Sequence, residues 1–152
     1  MHLSTDIISK FVDIMADVHE PRVRSYNMSR IKGKDTRPEM IVRKFLFSNG
    51  FRYRLHDKNL TGKPDIVLPK YKTAIFINGC FWHGHQKCKY FVIPKTRTEW
   101  WLGKIKKTKE RDQYNYKILH KNNWNIIVIW ECELKHNVKI RLERLIKDIE
   151  GE

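Results

Sequence analysis

Two of the three cysteines in this 152-residue chain lie within residues 78–88, together with two histidines. The order Cys80, four residues, His85, two residues, Cys88 suits one tetrahedral zinc ion, with Cys132 as a distant fourth ligand. Four protein ligands leave no open coordination position, so this zinc would be structural and would join distant parts of the chain. The alternative is that the three thiols are buried independently and that His85 is an ordinary loop histidine.

The composition indicates one compact domain that binds a polyanion. With 41% hydrophobic residues, the chain is long enough for a single core and too short for two typical domains. Thirty-one Lys and Arg against seventeen Asp and Glu give a formal charge of +14, which favours nucleic acid as a partner; a merely soluble basic protein is the alternative. Because we find neither an apolar stretch of bilayer length nor a signal-peptide pattern, we expect a cytoplasmic protein with no membrane partner.

The first part of the chain differs in pattern from the rest. Residues 1–14 form an N-terminal extension with its own apolar patch, and we expect Met15 to be the natural start. Residues 15–34 are polar and basic with few core residues, which is typical of an arm that becomes ordered only against a partner. Residues 35–152 are expected to form the single domain.

Within this domain, helical and strand patterns follow one another. A helix is expected to begin at Asp35 or Thr36 and to end at Asn49-Gly50. Its buried face is expected to hold four apolar residues: Met40, Ile41, Phe45 and Leu46. Strands are expected over residues 51–55, 65–68, 73–77 and 124–130, the last ending at Glu131 and Cys132, and further helices over residues 98–121 and 138–149. This order predicts an α/β fold with a mixed sheet flanked by helices.

Asp65 is a candidate ligand for a catalytic metal ion. It follows Gly62-Lys63-Pro64 and begins a strand, where a carboxylate can bind the Mg²⁺ that holds a phosphate. A turn-capping aspartate is the alternative. A Pro-Asp pair that opens a strand, followed by a second buried strand, resembles the restriction-endonuclease-like core. The second acidic motif of that core is missing, since Ile77 and Asn78 stand in its place, so a main-chain carbonyl of Ile77 would complete the metal site.

His83 is a candidate general base. A nuclease without the usual lysine still needs a group that activates water, and imidazole titrates in a suitable pH range. Asp112 could orient this imidazole through its other nitrogen, as carboxylates do for other histidines. A structural histidine and a solvated helix carboxylate are the alternatives.

Phe81 and Trp82 lie beside these groups, and Trp100 and Trp101 lie further along the chain. Aromatic side chains at this position could be ordinary core residues. Beside a phosphate-binding site they could instead insert between base pairs, which costs least where a duplex is already mismatched.

Several short motifs follow one another from Met15 almost to the end of the chain: Arg24-Ser25, Asn27-Met28, Asp35-Thr36, Gly62-Lys63-Pro64-Asp65, Gly79-Cys80-Phe81-Trp82-His83, Thr96-Arg97-Thr98-Glu99 and Trp130-Glu131-Cys132. With these motifs the chain resembles the very short patch repair (Vsr) mismatch endonucleases. The resemblance implies a restriction-endonuclease-like fold and a Mg²⁺-dependent nick in one DNA strand. The nick would lie 5′ of the thymine in a T:G mismatch left by deamination of 5-methylcytosine.

The resemblance also implies roles for individual residues. Asp65 and the Ile77 carbonyl would bind Mg²⁺, His83 would activate water with help from Asp112, and Glu39 would lie at the edge of the active site. The implied zinc ligands are Cys80, His85, Cys88 and Cys132. The implied intercalating residues are Phe81, Trp82 and Trp101. The basic arm would close over the DNA, and we expect a monomer in the bacterial cytoplasm with other repair proteins as further partners.

The chain departs from this pattern at two positions. Asn78 stands where some relatives carry a second histidine, which weakens any proton-donor role there, and a water could protonate the leaving 3′ oxygen instead. Cys88 lies one residue further from His85 than in some relatives, a difference that a loop absorbs. Two other functions fit the residues: a zinc-containing DNA-binding module without catalysis, and a restriction-type endonuclease that cuts matched duplex.

Overall fold

The computed structural model describes residues 21–152, so the predicted extension (residues 1–14) and the first part of the arm lie outside the described residues. The described residues form five α-helices, four strands and one short 3₁₀-helix at Pro69–Tyr71. The helices are α1 (Pro21–Ser29), α2 (Arg37–Ser48), α3 (Thr98–Lys121), α4 (Glu131–His136) and α5 (Val138–Glu150). The strands are β1 (Arg54–Leu55), β2 (Ile66–Leu68), β3 (Thr73–Asn78) and β4 (Asn125–Trp130).

The four strands form one mixed sheet in the order β1-β2-β3-β4. The first three strands pair antiparallel, whereas β3 and β4 are parallel, with Ile77 opposite Ile129. The prediction of an α/β fold with a mixed sheet and flanking helices is therefore confirmed. Because β3 and β4 run in the same direction, the segments that follow them begin at the same edge of the sheet.

The sheet is covered on both faces. One face packs against α2 and α5 in a core of mainly aliphatic side chains, including Val42, Leu46, Ile75, Ile129 and Leu145. The other face packs against α3 through a smaller cluster: Ala74, Phe76 and Leu119, with Tyr116 and Trp124 beside them. As predicted for a strand buried on both faces, β3 is almost entirely inaccessible to solvent.

The helix predicted from Asp35 or Thr36 is α2. Thr36 is its N-cap and accepts a hydrogen bond from the Glu39 N–H, while Pro38 lies in the first turn. The predicted buried face was wrong at Met40, which is 38% exposed, because the face is rotated towards Val42 and Leu46. The buried face of α2 also includes two charged residues, Glu39 and Arg43.

Two strand predictions need correction. The strand predicted over residues 51–55 is only the two-residue β1, because residues 51–53 pack through side chains without joining the ladder. The strand predicted to end at Glu131 and Cys132 ends at Trp130, and both residues lie in α4. The Trp130 N–H donates to the Glu133 carboxylate at 2.7 Å, and this bond at the start of α4 favours a helical turn there.

The arm predicted for residues 15–34 contains a helix, α1, where the sequence predicted order only against a partner. Its residues with described side chains are exposed, and they add nothing to either core cluster. A local contact stabilises its end, since Arg30 Nε donates to the Tyr26 hydroxyl at 3.1 Å. Among the described residues, no helix is long and apolar enough to span a bilayer.

Candidate active site and metal centre

A cavity of about 920 Å³ opens at the carboxyl end of β3. Groups from the arm, from α2, from the loop before β2 and from α3 converge there. Its chemically relevant lining residues are Glu39, Lys63, Asp65, Ile77, Asn78, Trp82, His83, Arg111, Asp112, Tyr116 and Glu131. Met28, Ile31 and Lys32 also line the cavity, so the end of the arm borders it.

Asp65 lies inside this cavity beside β3. Its Oδ2 accepts a hydrogen bond from the Ile77 N–H at 2.7 Å, which holds the carboxylate at the end of the strand. Burial raises the pKa of Asp65; the Ile77 hydrogen bond opposes that rise, and the Glu39 carboxylate adds to it. A bound cation would favour the ionised carboxylate and offset the repulsion from Glu39, so Asp65 could serve as a metal ligand.

Glu39 is the second carboxylate at this cavity, and it is only 3% exposed. Arg43 donates to Glu39 Oε2 at 2.8 Å and to Asp35 Oδ1 at 2.7 Å, and it lies 3.0 Å from His56 Nε2. The groups Asp35, Glu39 and His56 are close enough together to hold a metal ion. The Arg43 guanidinium already supplies the positive charge there, so this cluster fits an ion-pair network and not a metal site.

Sequence reasoning missed Arg43, because an arginine in an amphipathic helix is normally exposed. The available signal was its spacing of four residues from Glu39, which places the two side chains on one helical face.

His83 and Asp112 meet across the cavity although they are 29 residues apart in sequence. His83 lies in the turn after β3, Asp112 lies on α3, and His83 Nδ1 is 2.6 Å from Asp112 Oδ2. An Asp at Nδ1 favours the tautomer with the proton on Nδ1, which leaves Nε2 as the acceptor. The structure therefore forms the imidazole–carboxylate pair whose contact the sequence could not establish.

Gly84 makes this close approach of turn and helix possible. Its φ of +62° lies in the left-handed region, and a Cβ there would be 2.7 Å from Ile105 Cγ2 on α3. Only glycine fits without displacing the turn that carries His83 and His85.

Asn78 and Tyr116 form a further pair that sequence reasoning did not find. Asn78 is the buried last residue of β3, and its Nδ2 donates to the Tyr116 hydroxyl at 3.2 Å. Burial raises the pKa of Tyr116, the Asn78 hydrogen bond opposes that rise, and the Asp112 and Asp65 charges add to it. The sequence predicted Tyr116 only as part of the apolar stripe of the long helix, because no sequence spacing links it to Asn78.

The four predicted zinc ligands come together in one cluster. Their donor atoms, from Cys80, His85, Cys88 and Cys132, lie within 4.8 Å of one another. The His85 ring stacks on Trp130, with ring centroids 4.1 Å apart, which holds its plane. Three thiols and one imidazole are a donor set that suits zinc and leaves no open position.

Two of the thiols in this cluster, Cys80 and Cys132, have raised pKa values. Burial, more than the neighbouring thiols, raises the pKa of Cys80 to about 12, and burial also raises the pKa of Cys132. A metal ion binds the thiolate form, so its binding would release these protons. The cluster joins the loop after β3 to the first turn of α4.

The predicted intercalating residues, Phe81, Trp82 and Trp101, form an aromatic cluster beside the cavity. The Phe81 ring lies 5.2 Å from Trp82 and 5.3 Å from Trp101, measured between centroids. All three side chains are partly buried, whereas the adjoining Trp100 is 46% exposed. Lys104 Nζ lies within 5.7 Å of three Trp ring centroids, so the cluster carries a positive charge at its surface.

Comparisons with known proteins define the class of this molecule. The family model described as "DNA mismatch endonuclease Vsr" matches residues 16–89. The type II nicking enzyme V.NmeAIP of Neisseria meningitidis is 52% identical over 137 residues, which cover 89% of this chain and 97% of that protein. The DNA mismatch endonuclease Vsr of Escherichia coli is 41% identical over 136 residues, covering 90% of this chain and 86% of that protein.

A third relative is the type II nicking enzyme V.XorIIP of Xanthomonas oryzae, which is 44% identical over 120 residues covering 79% of this chain and 88% of the relative. The fold and these similarities define a DNA endonuclease, a hydrolase that acts on DNA in repair. The chain belongs to the Vsr DNA mismatch endonuclease family.

Proposed function

We propose that this protein nicks one strand of duplex DNA 5′ of the thymine in a T:G mismatch, with Mg²⁺ as its catalytic ion. The observation that carries the proposal is the convergence of Asp65 and the His83–Asp112 pair on one cavity. A metal-binding carboxylate and an oriented base are the two components that hydrolysis of a phosphodiester requires. The names of the relatives, a mismatch endonuclease and nicking enzymes, supply the substrate class.

In the proposed reaction, His83 Nε2 accepts a proton from the attacking water. Asp112 keeps the other ring proton on Nδ1 and stabilises the imidazolium that forms. The water oxygen bonds to phosphorus as the bond to the 3′ oxygen breaks, and a second water protonates that oxygen, leaving a 5′ phosphate and a 3′ hydroxyl. The Asp65 carboxylate and the Ile77 carbonyl would hold Mg²⁺, which when bound would polarise the phosphate.

Glu39 is proposed to act at the edge of this site. Its carboxylate is buried and held by Arg43, and its charge acts on Asp65. Glu39 therefore contributes negative charge near the proposed Mg²⁺ site, while its ion pair with Arg43 keeps it from coordinating the ion.

We assign structural zinc to the cysteine–histidine cluster. Cys80, His85, Cys88 and Cys132 would hold the ion, and the site would connect the turn that carries His83 with α4. A rigid connection of this kind keeps catalytic groups in place in a basic, loop-rich region.

The aromatic cluster is proposed to insert into the duplex at the mismatch. Phe81 and Trp82 directly precede His83, so the same turn would hold both the wedge and the base. Unstacking costs less at a mismatched pair, which would make the insertion selective.

The arm is proposed to close over the bound DNA, since Lys32 and its neighbours already border the cavity. Every proposed catalytic group comes from one chain, so we propose that the protein acts as a monomer on DNA in the bacterial cytoplasm, where other repair proteins would follow it.

The test is cleavage of strand-labelled duplexes that differ only in one base pair, T:G or T:A, with Mg²⁺ or with EDTA. We expect a single nick 5′ of the thymine in the T:G duplex and only with Mg²⁺. Binding without any cleavage would instead indicate a non-catalytic DNA-binding module. Cleavage of both strands in the T:A duplex would indicate a restriction-type endonuclease. Duplexes with varied flanking bases would then define the sequence preference.

A further inference from the structure

Tyr116 has a hydroxyl group in the candidate active site that the proposed reaction does not use. It lies one helical turn after Asp112 on α3, so both side chains face the cavity that also contains Asp65 and His83. Its ring packs edge-on against Phe76 of β3, with centroids 5.0 Å apart and planes 63° apart. The sheet and the helix together therefore determine where the hydroxyl is held.

The direction of its hydrogen bond leaves the Tyr116 proton free. The hydroxyl oxygen accepts from Asn78 Nδ2 at 3.2 Å, so the O–H must donate to another group. Within residues 21–152 no side chain or carbonyl accepts a hydrogen bond from this O–H. An acceptor group on a molecule that enters the cavity could accept this hydrogen bond from the Tyr116 O–H.

The electrostatic surroundings favour an uncharged donor at this position. Burial raises the pKa of Tyr116, and Asp112 and Asp65 raise it further, so the phenol stays protonated at neutral pH. The acceptor that the proposed function brings to this cavity is the phosphate between two nucleotides. A neutral hydroxyl can donate to a phosphate oxygen without itself needing a counter-charge.

We propose that Tyr116 is a further catalytic residue, which donates a hydrogen bond to an oxygen of the phosphate that is cleaved, and that Asn78 positions its hydroxyl. This inference rests on the proposed function. It gives Asn78 a definite task, since the amide holds the phenol and the phenol contacts the substrate.

The experiment measures single-turnover cleavage of a T:G duplex with Mg²⁺ at saturating enzyme, together with duplex affinity in EDTA and the melting temperature. Tyr116→Phe removes only the hydroxyl, and we expect its cleavage rate to fall by about 10²-fold, as for loss of one donor to a developing charge. Affinity and melting temperature should stay near the wild-type values. Tyr114→Phe is the matched control, because Tyr114 lies on the same helix and is 65% exposed.

Asn78→Ala tests the positioning role. It should slow cleavage less than Tyr116→Phe does, and the double variant should be no slower than Tyr116→Phe alone, because Asn78 acts through Tyr116. Fully additive losses would overturn the positioning role.

A Tyr116→Phe rate within twofold of wild type would overturn the catalytic role. A weaker affinity with an unchanged rate would do the same. If Tyr116→Phe melts far below wild type, the Asn78→Ala rate decides, and a value within twofold of wild type overturns the inference. Wild-type protein that cleaves no T:G duplex overturns the proposed function and this inference with it, whereas active wild type beside fully active Tyr116→Phe overturns this inference alone.

Discussion

The carboxylates of Glu39 and Asp65, which both line the cavity, have different hydrogen-bond and ion-pair partners. Glu39 is paired with Arg43 at 2.8 Å, so its charge is already compensated. Asp65 accepts a hydrogen bond from the Ile77 N–H at 2.7 Å. Among the described residues, no lysine, arginine or histidine forms an ion pair with Asp65. Asp65 is therefore the carboxylate whose charge remains for a metal ion.

Replacing Asp65 with Asn should abolish cleavage while binding to a T:G duplex persists. Asn keeps an acceptor for the Ile77 N–H but removes the charge that would hold Mg²⁺, so we expect a loss of about 10³-fold or more. Asp57→Asn, in the nearby turn, is the matched control. Cleavage assays and binding titrations in EDTA distinguish the two effects, and an equal loss of binding would contradict the role as a metal ligand.

Replacing His83 with Ala should reduce the cleavage rate by about 10²-fold or more, because the attacking water would lose its base. Asp112→Asn should also slow cleavage, since the amide no longer favours the proton on Nδ1. His120→Ala, at an exposed position of α3, should have no effect. An unchanged single-turnover rate in His83→Ala would exclude His83 as the base.

The turn after β3 carries the proposed base, two residues of the aromatic cluster and two of the cysteines within ten residues, residues 79–88. Its path depends on contact with α3, and Gly84 lies at the closest point of that contact. The stability of one turn is therefore coupled to the placement of several functional groups.

Gly84→Ala should destabilise the protein by about 1–3 kcal/mol, because alanine is disfavoured at φ +62° and its Cβ would clash with Ile105. Gly103→Ala is the matched control within α3, where an added Cβ meets nothing within 4 Å. That substitution should stabilise the helix by about 0.5–1 kcal/mol. Denaturant unfolding of both variants checks the opposite signs, and equal effects would show that the turn does not need glycine.

The N-terminus of α2 should give a pH-dependent contribution to stability. The Arg43 hydrogen bond to Asp35 lowers the pKa of Asp35 below 3.8 despite an opposing effect of desolvation. The ionised carboxylate therefore stabilises the fold at pH values above 3.8, and this contribution disappears as the pH falls through the lowered pKa. Asp35→Asn should thus be slightly less stable than wild type at pH 6 and equally stable at the lowest pH. Melting temperatures across this range test it, and a pH-independent difference would count against the pair.

Across the whole molecule, the cysteine–histidine cluster connects segments that follow two parallel strands. The loop after β3 supplies Cys80, His85 and Cys88, and α4 supplies Cys132. Removing one ligand should therefore affect both metal binding and global stability.

Cys132→Ser should lower the zinc content of the purified protein and its melting temperature together. Elemental analysis and thermal unfolding, before and after treatment with a chelator, measure the two quantities. The chelator should destabilise wild type much more than the variant. A variant with a full equivalent of zinc would remove Cys132 from the ligand set.

The ends of the helices α2 and α3, which depend on neighbouring residues, are predicted correctly from the sequence. The helix over residues 98–121 matches α3, and the capping residue Thr36 and the stop at Asn49 match α2, because caps and helical periodicity are local properties. The short helix α4 was missed, since six residues are too few to show a period. The strand over residues 51–55 was overestimated, because alternating burial does not require a hydrogen-bonded partner.

The sequence by itself determined the alternation of helices and strands, the basic charge and the grouping of cysteines and histidines in residues 80–88. Each of these features follows from the composition, order and spacing of the residues. Only the tertiary structure decided that β3 and β4 are parallel, that His83 meets Asp112, that Arg43 neutralises Glu39, and that Asn78 holds Tyr116. These contacts join residues that lie on separate elements or on one buried helix face. Which side chains meet depends on how the helices pack on the sheet, and that packing is a property of the whole core.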